Sequence, residues 1–240
     1  PVQAFAEVFK AFGIEPTMEE VREPMGMLKR DHIKTMLAMP RIRTLWEEKY
    51  GRPSGEADID SLYQMFEGKL MSILENFTDI KPGVLETVKI LREKGISIGS
   101  TTGYTDGMME IVVKKAEEHG YKPDAWFSPD STNKLGRPYP YMIYRNMEAF
   151  AVSSADGVVK VGDTVSDIKE GKSAGVFSIG IIEGSSEMGL SREEYDSLTG
   201  EEKSRRAALV TAKYAEAGAD AVIHNMWDLI PLLKNIFIIE

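Results

Sequence analysis

The chain has 240 residues, 42% of them hydrophobic, which is enough to bury one large core or a large and a small one. Its formal net charge of -9 leaves no broad basic surface, which argues against nucleic acid and anionic membranes as partners. There is no cysteine, so disulfides, thiolate nucleophiles and thiolate metal ligands are excluded; a metal would be held by oxygen atoms or by the 3 histidines.

No apolar run approaches the length of a bilayer span and no signal-like segment opens the chain, so a soluble, cytoplasmic protein is expected. Residues 1–80 read as an all-helical unit. Phe5, Val8, Phe9 and Phe12 fall at i, i+3, i+4 and i+7, predicting a helix whose apolar face is either core or dimer interface. Thr17 and Glu20 form a capping-box pattern that opens a second helix. Pro24, Gly26 and Pro40 punctuate the next stretch, and "ADIDSLYQMFEGKLMSIL" predicts a longer amphipathic helix.

The texture changes at Lys81, Pro82 and Gly83. From there to residue 240 short β-like runs ("ISIGST", "AWFSP", "GVVKVGD", "VFSIGII", "ADAVIHN") alternate with helical stretches, ending in a final helix. This alternation predicts an α/β unit, a parallel sheet with helices on both faces. The carboxyl ends of parallel strands share one edge, so three polar segments are expected to converge there. "GSTTGYT", Gly99–Thr105, is either an ordinary Ser/Thr-rich turn or a set of hydroxyls and backbone N–H groups for a phosphate. Arg137, before a proline in "LGRPYPYM", is either a solvated surface residue or a guanidinium that neutralises phosphate. In "GDTVSD", Asp163 ends a strand and suits a cation, whereas Asp167 lies in the first helical turn, where capping is an alternative role.

The helical unit carries "REPMGMLKRDH", in which Met25, Met27 and Leu28 flank Lys29, with Arg30 adjacent and His32 one turn away. Read alone, Lys29 is a solvated lysine and His32 a surface or core residue. Apolar surroundings and a nearby cation nevertheless lower a lysine pKa, as an amine that attacks a carbonyl requires.

Taken in order, "REPMGMLKRDH", "GSTTGYT", "GRPYP", "KVGDTVSD" and "GSSEMGL" resemble the phosphonatase branch of the haloacid dehalogenase superfamily, the phosphonoacetaldehyde hydrolases, over essentially the whole chain. The resemblance implies a Rossmann-like core with a helical cap, a homodimer made through the caps, Mg²⁺ as cofactor and a small phosphonate as substrate. The implied reaction is hydrolysis of a carbon–phosphorus bond through a lysine Schiff base and an aspartyl phosphate. Lys29 is matched to the imine-forming lysine, and His32 and Met25 to residues near the imine. Gly26 matches a close approach of cap backbone to substrate, Thr102 a phosphate-binding hydroxyl and Tyr104 a pocket residue. Arg137 would offset phosphoryl charge, Asp163 would ligate Mg²⁺ and Asp167 would support it.

The family's nucleophilic Asp, in a "DxxGT"-type motif after the first core strand, does not occur between residues 1 and 240; Asp31 and Asp58 follow no apolar strand and precede no Gly-Thr pair. The expectation is that residues upstream of Pro1 supply it, together with the central strand of the sheet. Without that strand its neighbours would face a gap. A phosphomonoesterase of the same superfamily and a noncatalytic fragment remain as alternatives.

Overall fold

The structure is a computed structural model and describes residues 2–236. Five helices come first: α1 (Val2–Ala11), α2 (Met18–Arg22), α3 (Lys29–Ala38), α4 (Pro40–Tyr50) and α5 (Glu56–Ile73). They close around one apolar cluster that includes Phe5, Phe9, Ile33, Met36, Trp46 and Phe66. Phe5 and Phe9 have no exposed surface, so the apolar face of α1 belongs to the core of the helical unit. Phe12 lies just past the helix end and packs, half-buried, against the same cluster. The capping box forms as expected: the Glu20 N–H donates to Thr17 Oγ1 at 3.2 Å and the Thr17 N–H to Glu20 Oε2 at 2.8 Å. Pro40 sits in the first turn of α4, where the N–H it lacks would have no partner.

The remainder runs α6 (Val84–Glu93), β1 (Gly99–Thr101), α7 (Asp106–Glu118), β2 (Ala125–Phe127), α8 (Tyr141–Ala149), β3 (Val159–Gly162), α9 (Val165–Ala174), β4 (Phe177–Ile181), α10 (Arg192–Ser197), α11 (Gly200–Glu216), β5 (Ala221–Ile223) and α12 (Leu229–Ile236). Every strand pairing is parallel, as the alternation predicts. The strands nevertheless form two sheets, β1–β2 and β3–β4–β5. Gly99–Thr101 of β1 and Val159–Gly162 of β3 both line a cavity of about 1270 Å³.

Two elements differ from expectation. The "ISIGST" run contributes only its last three residues to β1; Ile98 instead meets Asp124, whose side-chain Oδ2 accepts the Ile98 N–H at 2.7 Å. Helix α10 is absent from the expected pattern, although its Ser191–Glu194 capping box is present in the sequence. Among the described residues no helix is long and apolar enough to cross a membrane.

Phe66 is fully buried, with its ring stacked 4.0 Å from that of Phe5. Phe66→Ala is therefore expected to lower unfolding stability by about 3–5 kcal/mol, read from the urea midpoint at constant slope.

Candidate active site

Arg137, Asp167 and Glu170, three of the buried charged residues, gather where β1, β3 and α9 meet. Arg137 approaches from the segment before α8 and donates in three directions. Nε reaches Glu170 Oε2 at 3.0 Å, Nη2 reaches the Thr101 carbonyl at 2.7 Å, and Nη1 makes a longer bond of 3.3 Å to the Gly26 carbonyl. Nη2 also pairs with Asp167 Oδ1 at 2.9 Å. Lys160, on β3, meets the same two carboxylates at 2.9 Å (Asp167) and 3.1 Å (Glu170) and donates to Thr101 Oγ1 at 2.7 Å. Burial alone would raise the Asp167 pKa, but Arg137 and Lys160 outweigh it and hold the carboxyl well below the usual range. The Thr164 hydroxyl adds a 2.6 Å bond to its Oδ2.

Asp163 is treated differently. Its Oδ2 accepts the Ser186 N–H at 3.0 Å and the Ser186 hydroxyl at 2.9 Å, and it lines the cavity. Among the described residues no lysine or arginine stands within ion-pair distance of it; burial and the neighbouring Asp167 push its pKa up. A carboxylate in that setting suits a hard divalent cation, which takes one or two carboxylates and completes its shell with water and phosphate oxygens. Asp163 fits as one such ligand. No group of three acidic or histidine side chains among the described residues could enclose a metal, so the rest of the shell would come from other donors.

The helical unit reaches this edge through the loop before α3. Gly26 has φ +88°, and a Cβ there would collide with Thr164 Oγ1; a Cβ on Gly103 would collide with the Met27 carbonyl. Two glycines thus let the loop at 26–27 lie directly on the β1 and β3 turns. Lys29 opens α3 three residues later and is only 4% exposed. Burial, then the Arg137 charge, lower its pKa to about 8, against the opposing pull of Asp163 and Asp167. Its ammonium lies 5.0 Å from the centre of the Tyr104 ring. Burial and Asp163 push the Tyr104 hydroxyl up to about 12, so it is a neutral donor at neutral pH.

His32 is fully buried, stacked at 3.8 Å on Phe5. Its Nε2–H donates to the Val21 carbonyl at 2.9 Å, and burial together with Lys29 lowers its pKa to about 3. The ring is neutral, and the buried Nδ1 has no hydrogen-bond partner. Met25 packs half-buried against the cluster of the helical unit. Thr102 lines the cavity and its Oγ1 accepts the Tyr104 N–H at 3.0 Å, closing the hydroxyl-rich turn.

The expected convergence of three strand-end segments therefore occurs, and Lys29 falls within electrostatic reach of Arg137, Asp163 and Asp167. Sequence reasoning missed Lys160 and Glu170. The signals were present: Lys160 is the one charged residue in the apolar run Val158–Gly162, and Glu170 follows Asp167 by three, placing both carboxylates on one face of α9.

A sequence profile for haloacid dehalogenase-like hydrolases matches residues 2–175. A phosphonoacetaldehyde hydrolase of Lysinibacillus sphaericus is 51% identical over 235 residues, covering 98% of this chain and 87% of that protein. A phosphonoacetaldehyde hydrolase of Bacillus cereus is 44% identical, covering 98% of this chain and 89% of that protein. The crystal structure of a phosphonoacetaldehyde hydrolase-like protein from Oleispira antarctica superposes with a TM-score of 0.93 at 35% identity, over 98% of this chain and 85% of that one. With the parallel strands, the helical unit and the clustered strand-end charges already in place, these likenesses establish that the chain belongs to the haloacid dehalogenase-like hydrolases, in their phosphonoacetaldehyde hydrolase branch.

Proposed function

We propose that this hydrolase cleaves the carbon–phosphorus bond of phosphonoacetaldehyde, with Lys29 as the amine that activates the aldehyde. The observation that carries the reading is a buried amine of pKa about 8 beside a cationic and carboxylate cluster suited to a phosphoryl group. In this proposal residues 1–80 act as a cap over a core of residues 81–240. The proposed protein is a homodimer, as family membership suggests, and works in the cytoplasm.

A carbon–phosphorus bond has no good leaving group, because a bare carbanion is too basic. Lys29 as the free amine adds to the aldehyde and loses water, giving a protonated imine that can accept electrons. When the bond to phosphorus breaks, its electron pair moves into the carbon framework to form an enamine. The phosphoryl group passes to a carboxylate oxygen. Protonation of the enamine carbon and hydrolysis of the imine release acetaldehyde and Lys29; water then splits the acyl phosphate to free phosphate.

Each residue has a proposed part in that sequence. Burial keeps a large fraction of Lys29 neutral near pH 8, and Tyr104 covers it from one side. His32, held neutral by burial, offers its unpartnered Nδ1 as a hydrogen-bond acceptor one helical turn away. Met25 fills apolar space beside it, while Gly26 allows the loop backbone to approach the substrate. Thr102 and Arg137 bind phosphoryl oxygens, the latter through Nη1, whose bond to Gly26 is long. Asp163 would hold Mg²⁺ and Asp167 would support it; when bound, the ion supplies charge neutralisation at the phosphoryl oxygens. For the acceptor we propose an aspartate carboxylate, as family membership suggests, reaching the cavity that β1 and β3 line.

Borohydride added with phosphonoacetaldehyde is expected to attach a two-carbon adduct at Lys29, located by peptide mass spectrometry. Lys29→Arg should abolish both adduct and turnover; turnover surviving that change would reject the imine. Phosphate-ester hydrolysis that exceeds phosphonate cleavage and ignores Lys29 would instead support a phosphomonoesterase.

Because the Lys29 pKa is lowered, its neutral amine persists to lower pH than that of an exposed lysine. Competitive labelling with acetic anhydride should show Lys29 reacting with a midpoint near pH 8, well below the ordinary 10.5. Asp163→Asn is expected to cut phosphonate turnover by about 10²-fold, the scale for losing one group that stabilises transition-state charge. Borohydride trapping of Lys29 should survive that change, separating the phosphoryl half of the site from the imine half.

A further inference from the structure

Glu170 enters none of the proposed chemical steps, yet it has no exposed surface and its Oε1 has no hydrogen-bond partner. Its other oxygen, Oε2, is crowded by three donors: Arg137 Nε at 3.0 Å, Thr101 Oγ1 at 2.8 Å and Lys160 Nζ at 3.1 Å. A carboxylate this deep is costly unless it is paired, and breaking one partner from such a network leaves an uncompensated charge. A fold that needed only stability would fill the position with an apolar side chain.

The geometry of Arg137 shows what the pairing does. A guanidinium is a rigid planar fork, so fixing Nε and one terminal nitrogen fixes the direction of the other. Glu170 takes Nε, while Thr101 and Asp167 take Nη2. The remaining terminal nitrogen, Nη1, is thereby aimed at the Gly26 carbonyl, in the loop that ends at Lys29. Lys160 lies between Asp167 and Glu170 and supplies the second positive charge those two carboxylates require.

We propose that Glu170, backed by Lys160, is a positioning residue: it sets the direction of Arg137 Nη1 and so the placement of the loop that carries the reactive lysine. Glu170 touches neither substrate nor metal and acts through Arg137. This assignment rests on the reading of Lys29 as the imine-forming residue.

The test uses the full-length enzyme with its metal bound. Glu170→Gln keeps the size and the acceptor oxygen but removes the charge. It is expected to lower kcat by about 10²-fold, the scale for misplacing a reacting group by about 1 Å, with KM changed less than about threefold. The rate of borohydride trapping of Lys29 should fall alongside kcat, and Glu170→Asp should restore part of both. Lys160→Met, which leaves Glu170 with one cation, should shift the same two readouts in the same direction. Urea unfolding of each variant gives the folded fraction, and rates are expressed per folded molecule. Wild-type kcat and trapping in the folded Glu170→Gln and Lys160→Met proteins would overturn the positioning role. If the wild-type enzyme turns over but never traps at Lys29, the imine reading fails instead, and the two failures are told apart.

Discussion

Removing the guanidinium of Arg137, the ammonium of Lys160 and the carboxylates of Asp167 and Glu170 from water carries a penalty of several kcal/mol per ion. The fold meets that penalty only by joining β1, β3, α9 and the segment before α8 at one point. Two positive and two negative charges balance there. Asp163, next to this balanced set but outside it, keeps a carboxylate available at the cavity edge. Within five residues of chain the fold pairs one acid, Asp167, and leaves the other, Asp163, without an ion-pair partner among the described residues.

The same division explains the contrast between Lys29 and Lys160. Both are buried or nearly so, but Lys160 makes ion pairs with two carboxylates, whereas Lys29 lies by the Tyr104 ring and feels Arg137, Asp163 and Asp167 without an ion pair to either acid. Burial, and after it the Arg137 charge, drives the Lys29 ammonium toward the neutral amine. Placement against the core is what produces that difference. Gly26 and Gly103 permit an approach of backbone to backbone that any side chain would prevent.

Much of this was legible in the chain. The periodicity of Phe5, Val8 and Phe9 located the first helix, and the alternation after Lys81 gave the parallel strands. Asp163 and Asp167 were visible because polar residues that abruptly end an apolar run mark a strand edge. What could not be read was which acid pairs with which base. Arg137 and Glu170 are 33 residues apart, and their contact depends on how the strands are ordered in space. Lys29 posed a similar problem: its own neighbours in sequence suggested an apolar setting, but the Arg137 charge and the Tyr104 ring come from other elements. The alternation also did not reveal that the described strands fall into two sheets, β1–β2 and β3–β4–β5.

The 3.3 Å bond from Arg137 to the Gly26 carbonyl joins the segment before α8 to the loop before α3. In the mechanism proposed above, a product leaving past the helical unit would break it and free the loop that leads to Lys29. Departure of product and loosening of the reactive geometry would then be a single event under that proposal, and each turnover would begin by rebuilding the site around the next substrate.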